Sequence, residues 1–162
     1  MPVATARASL LPLASLGLLA CSSGTTLMGS MQEFTPLAFT KVEFHLQGAA
    51  LSLSYDDFVD GGANIPFTLT VDTTGVPLDA GHSFELDGGT DAGTPIAIAS
   101  RSVVMDTRPF SAISFGHLTL DGPVAVGSSV SGDFFVVFQY QNDGSLGSGH
   151  TVYGNFSAKV AP

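Results

Sequence analysis

Residues 130–138, VSGDFFVVF, and residues 152–160, VYGNFSAKV, decide how this chain folds. Both alternate apolar and polar positions with a period of two, the mark of a strand with one buried face. Set antiparallel about a loop centred on Ser145, they place Phe134 opposite Phe156, Val136 opposite Gly154 and Phe138 opposite Val152. The same register sets Gly132 opposite Ala158 and Val130 opposite Val160, so all five pairs are apolar or small. On the other face Asp133 meets Ser157, Phe135 meets Asn155 and Val137 meets Tyr153. A slip of one residue would exchange the faces, so burial selects this phase. Gly132 and Gly154 each stand two residues before an aromatic, where bare backbone leaves room for a neighbouring ring.

The same period runs through the rest of the chain. Val42, Phe44 and Leu46 alternate with Lys41, Glu43 and His45, and Leu51 and Leu53 alternate with Ser52 and Ser54. A turn at Gln47-Gly48 pairs Leu46 with Ala49, Phe44 with Leu51 and Val42 with Leu53, which puts the apolar partners on one face. Ile65, Phe67, Leu69 and Val71 form a further strand, with Pro66 expected at an edge or at the strand's start because it cannot donate to a ladder. Phe84 and Leu86 mark a short strand. Ile96 and Ile98 open another, which reaches Val104 and turns at residues 106–109. Between Phe110 and Leu120 the apolar parity changes, and Gly116 is the expected bulge. No helical period occurs. The pattern predicts an all-β fold, an antiparallel β-sandwich of about eight strands over residues 32–162. The twelve phenylalanines and alternating aliphatics would form its inner faces. A membrane barrel fits less well, since aromatic girdles are missing.

Upstream lies RASLLPLASLGLLAC, residues 7–21, which ends in the chain's only cysteine. One arginine, a short apolar run and a small residue follow in the order of an export signal. A membrane-spanning helix needs about 20 apolar residues, and this run is shorter and interrupted by Pro12 and Gly17. The tetrapeptide Leu18-Leu19-Ala20-Cys21 resembles the lipobox of bacterial lipoproteins. That resemblance implies that residues 1–20 are removed as a signal peptide and that Cys21 becomes an acylated N-terminus. It also implies a lipid bilayer as partner and a place in the bacterial cell envelope, at the outer membrane. Ser22 to Ser30 is small and polar, so residues 21–31 read as the lipidated cysteine and a flexible tether. A second resemblance lies at the other end. Gly116-His117-Leu118-Thr119-Leu120, Val130-Ser131-Gly132-Asp133-Phe134 and Gly154-Asn155-Phe156-Ser157-Ala158 look like the C-terminal part of small β-rich lipoproteins of myxobacterial type.

All fourteen acidic residues follow Cys21, while Arg7 would leave with the signal, so four cations (Lys41, Arg101, Arg108 and Lys159) oppose fourteen acids and the mature charge is −10. This balance argues against nucleic acid as a partner, because its binding depends on neutralising phosphates with Lys and Arg. It argues against docking on anionic lipid heads by charge on the same ground. With Cys21 acylated, no thiol remains for a disulfide or a nucleophile. Tryptophan is absent and tyrosine occurs three times, whereas sugar-binding platforms favour both.

Catalytic motifs are missing. His45, His82, His117 and His150 never occur at metal-ligand spacing, no G-x-S-x-G elbow is present, and no serine has a lysine three residues on. No cofactor and no enzymatic activity are expected. The acidic stretches at residues 55–64 and 87–91 supply weak calcium candidates in Asp56, Asp57, Asp60, Asp87 and Asp91. Calcium takes six to eight oxygens from such loops, but neither stretch has the EF-hand order, and Asp and Gly are ordinary turn residues. The expected role is therefore non-catalytic, a structural or protein-contact role in the envelope. A polysaccharide-binding or calcium-dependent ligand-binding sandwich is the alternative. The N-terminal reading is checked by mass spectrometry of the mature protein: the first residue should be Cys21 carrying acyl chains, and an unmodified cysteine or a retained segment 1–20 contradicts it.

Overall fold

The two G-x-F strands pair antiparallel in the computed structural model, which describes residues 24–59, 62–79, 81–86, 96–104 and 106–162. Their register differs by two residues from the expected one. Phe134 stands opposite Gly154, Phe156 opposite Gly132, Val136 opposite Val152 and Val130 opposite Ala158. A two-residue shift keeps every side chain on its face, so both rings are still buried. What changes is the partner: each ring lies over a glycine instead of against the other ring. A Cβ on Gly132 would meet the Thr119 backbone carbonyl first and then Phe156 Cζ at 2.9 Å, and one on Gly154 would meet the Thr26 carbonyl first and then Phe134 Cε1 at 3.1 Å. Burial pattern alone cannot separate registers two residues apart. Volume can.

Ten strands occur among the described residues. In chain order they are β1 (Thr26–Met28), β2 (Lys41–Gln47), β3 (Ala50–Val59), β4 (Gly62–Asp72), β5 (His82–Glu85), β6 (Ala97–Val103), β7 (Asp106–Pro109), β8 (Ile113–Leu120), β9 (Ser129–Phe138) and β10 (Thr151–Ala161). A single 3-10 turn covers Ser30–Glu33. The strand order is β5-β8-β9-β10-β2-β3-β4-β6-β7, with β1 also on β10. Among the described residues one pairing is parallel: the end of β10 meets β2 through Val160–Phe44 and Ala161–His45. On one side of that seam lie β1, β5, β8, β9 and β10, and on the other lie β2, β3, β4, β6 and β7. The two halves fold over each other as layers, which makes the protein all-β and sandwich-like. Each open end is a strand of only four residues, β5 or β7, a short edge that discourages pairing with another chain.

Rings hold the layers together. Phe67 of β4 stacks on Phe134 of β9 at 5.2 Å with planes 6° apart, and Phe44 of β2 stacks on Phe156 of β10 at 5.6 Å. The series continues from Phe67 to Phe110 and on to Phe138 at 5.9 and 4.9 Å. Tyr55 of β3 joins it at Phe134. Its hydroxyl donates to the Asn155 carbonyl across the layers at 3.1 Å, and burial pushes its pKa up. Such aromatic pairs add about 0.5–1.5 kcal/mol each beyond area burial. Seven of the twelve phenylalanines are buried, whereas Phe34, Phe58 and Phe115 are exposed, so phenylalanine is not only core filling.

Other local expectations are corrected in the same way. The first hairpin turns at Gly48-Ala49 and pairs Leu46 with Leu51 and Phe44 with Leu53. Gly48 has φ 61°, and glycine at the first central position suits a type II′ turn. Pro66 lies inside β4, between two strands, at a shift of register between Ile65 and Thr68; a bulge removes the need for its missing donor. The bulge in β8 falls between Ile113 and Phe115, two residues before Gly116. In β6 the buried side chains are Ala97 and Ala99, while Ile96 and Ile98 face solvent. Residues 106–109 are strand β7, not a turn. Part of the expected tether is folded: β1 pairs with β10, and Leu27 and Met31 are buried.

If ring over glycine contributes to the register, Phe156→Ala should cost about 3–5 kcal/mol and Gly132→Ala at least about 1–3 kcal/mol by overpacking against both the Thr119 backbone and the Phe156 ring, of which only the ring's part is relieved in the double variant. Urea unfolding of the double variant should give less than the sum by about 0.5 kcal/mol or more. Full additivity contradicts the coupling.

Candidate functional site

The bulge in β8 has a consequence for the surface. Ile113 is 1% exposed and Phe115, two residues on, is 56% exposed. In a regular strand they would share a face; the extra residue turns Phe115 outward. There it joins the outward side chains of β9, β10 and β1. Phe115 pairs with Val137, and Val137 with Thr151. In the adjacent row Glu85, His117, Phe135, Tyr153 and Met28 are consecutive neighbours across five strands. The rings lie 5.7 Å apart from Phe115 to Phe135 and 6.5 Å from Phe135 to Tyr153. Tyr153 and Met28 are exposed. This is a contiguous aromatic and apolar patch on a sheet face with no covering layer among the described residues.

A polar row runs beside it. Ser83, Thr119, Asp133, Asn155 and Thr26 are neighbours across the same five strands. His117 Nε2 lies 3.2 Å from Asp133 Oδ2 across the two rows, an exposed pair of small energetic worth. Ser131 donates to Asp121 at 3.0 Å, and these groups with Asn155 and Ser157 edge an open depression of about 410 Å³. The opposite layer presents a different surface. Its outward rows are His45, Ser52, Thr70 and Ile98, and Glu43, Ser54, Thr68 and Ser100. One outer face is aromatic, the other mainly polar.

The residues singled out in the sequence do not converge. Cys21, Asp60, Asp87 and Asp91 lie outside the described residues. Asp56 and Asp57 are in strand β3, not in a loop. The Asp56 carbonyl already accepts from Thr40 N and Thr40 Oγ1, and Asp57 pairs with Asn64. Among the described residues no three His, Cys, Asp or Glu side chains are grouped to hold a metal. The histidines have separate local partners. His45 contacts Glu43 and the Pro162 carbonyl, His82 the Phe84 ring, His117 Asp133, and His150 Ser30 and Phe34. The aromatic row was visible in part, since Phe135 and Val137 occupy outward positions of their strand. Phe115 was hidden by the displaced bulge.

Asp56 carries a stability signature. Its side chain is buried and Oδ1 has no hydrogen-bond partner among the described residues. Burial raises its pKa, and the Glu43 carboxylate adds to the rise, opposed by Ser54 and Lys41. The folded protein therefore holds a proton that the unfolded chain has released in the window above the ordinary Asp value, and stability falls as pH rises through it. Asp56→Asn should raise the melting temperature by a few degrees at pH 7. The gap should close as pH falls below the ordinary Asp range; a pH-independent gap contradicts this origin.

No protein-family model, no curated protein and no solved structure matches this chain.

Proposed function

We propose that the protein is a lipid-anchored bacterial envelope lipoprotein that acts by protein–protein contact, with the outer face of β8, β9, β10 and β1 as its contact surface. The observation that carries this reading is the contiguous patch of Phe115, Phe135, Tyr153 and Met28 across neighbouring strands of an acidic protein. Interface centres are enriched in Tyr, Phe and Met and depleted of charge, and contiguous exposed apolar patches mark interaction sites. The rings are tilted 53° and 40° to one another, so the patch is uneven rather than a flat platform. The anchor follows from Leu18-Leu19-Ala20-Cys21, and the strand nearest it belongs to this face. Four residues separate Cys21 from β1, a span of about 17 Å at full extension. The contact surface would thus be held beside the membrane, facing partners anchored or embedded there. No catalytic role is assigned.

A photo-crosslinking residue at position 153, compared with one at position 70 on the opposite outer face, tests this in intact envelopes. A discrete protein adduct from position 153 and none from position 70 is expected. Adducts with lipid alone, or equal labelling from both, overturn it.

A further inference from the structure

Two of the four cations that follow Cys21 stand directly opposite each other. Arg101 of β6 and Arg108 of β7 are cross-strand partners, an arrangement that like charges disfavour. Both line a cleft of about 260 Å³ with Val103, Asp106 and Leu146. Arg101 has the parity of the buried Ala97 and Ala99. Arg101 Nη1 donates to the buried Thr35 hydroxyl at 2.6 Å, while its Nε is buried without a hydrogen-bond partner among the described residues. A neutral hydroxyl does not balance a guanidinium. Asp106 takes Arg108 Nε at 2.9 Å, which among the described residues leaves the pair with one positive charge in excess and both Arg108 terminal nitrogens without a hydrogen-bond partner. The hairpin tip between these strands holds Val104 at φ 45°, a region that a β-branched residue rarely enters. Strain of that kind is often kept where it positions functional groups.

We propose that this cleft binds a small organic carboxylate, its head between Arg101 and Arg108 and its short apolar body against Val103 and Leu146. Guanidinium groups match the planar carboxylate through paired N–H donors. The space suits an acid of a few carbons and is too small for a polymer. The site is independent of the aromatic outer face and of the lipid anchor.

The sample for calorimetric titration is the full mature chain in detergent. Acetate, butyrate, succinate and inorganic phosphate are the probes, with sodium chloride at matched ionic strength as the control. Butyrate should bind saturably and more tightly than acetate, by roughly threefold to fourfold per added methylene. Arg108→Gln, an exposed position that should leave folding intact, should weaken butyrate at least tenfold. Arg101→Lys keeps a charge near Thr35 and should weaken it too, because the fork is lost. Absence of saturable binding, an equal response to chloride, phosphate binding more tightly than butyrate, or unchanged affinity in Arg108→Gln each overturns the proposal.

Discussion

The structure depends on rings lying over glycines. Phe134 over Gly154 and Phe156 over Gly132 are contacts within one layer, yet they determine how the layers meet. A ring that leans over bare backbone presents its other side to the opposite layer. Phe134 there stacks on Phe67, and Phe156 on Phe44. Gly154 also makes room for the Tyr55 hydroxyl, 3.1 Å from where a Cβ would stand, so the hydrogen bond from Tyr55 to Asn155 crosses at the same point. Close packing of this kind tolerates few substitutions, because interiors are filled nearly as densely as organic crystals.

A second consequence concerns the surface. The layer that carries the ring–glycine pairs presents the aromatic row outward, so β9 and β10 are apolar on one face and partly apolar on the other. The outward rows described for the other layer are mainly polar, with Ile98 the exception. Asymmetry between two outer faces is what a protein needs if it meets its partner in one orientation, and the short proposed link from Cys21 to β1 would fix which side approaches the membrane.

Charge is sparse and unevenly placed. With four cations after Cys21, their positions carry more information than in a balanced protein. Lys41 pairs with Glu43 and lies 5.8 Å from the Phe58 ring centroid, whereas Arg101 and Arg108 share one cleft. Asp56, buried where β3 faces the bulge in β4, is the converse case: a carboxylate whose burial works against stability.

From the residues alone, the all-β class, the inner face of β9 and β10, and the antiparallel pairing of Phe134's strand with Phe156's were legible, because a period of two is a local property of the chain. Register was not: shifts by two residues preserve every face, and what separates them is which ring and which neighbouring backbone come to lie against each missing Cβ. Strands β1 and β7 were missed because each is short and lacks alternation; long-range pairing makes them strands. Phe115 was assigned to the core because its parity matched Ile113, and the bulge that reverses it is set by pairing with β9. The proposed anchor at Cys21 rests on sequence alone, since its recognition needs no tertiary structure. The aromatic face and the arginine cleft belong to tertiary structure, because their residues are separated along the chain and meet only through the strand order.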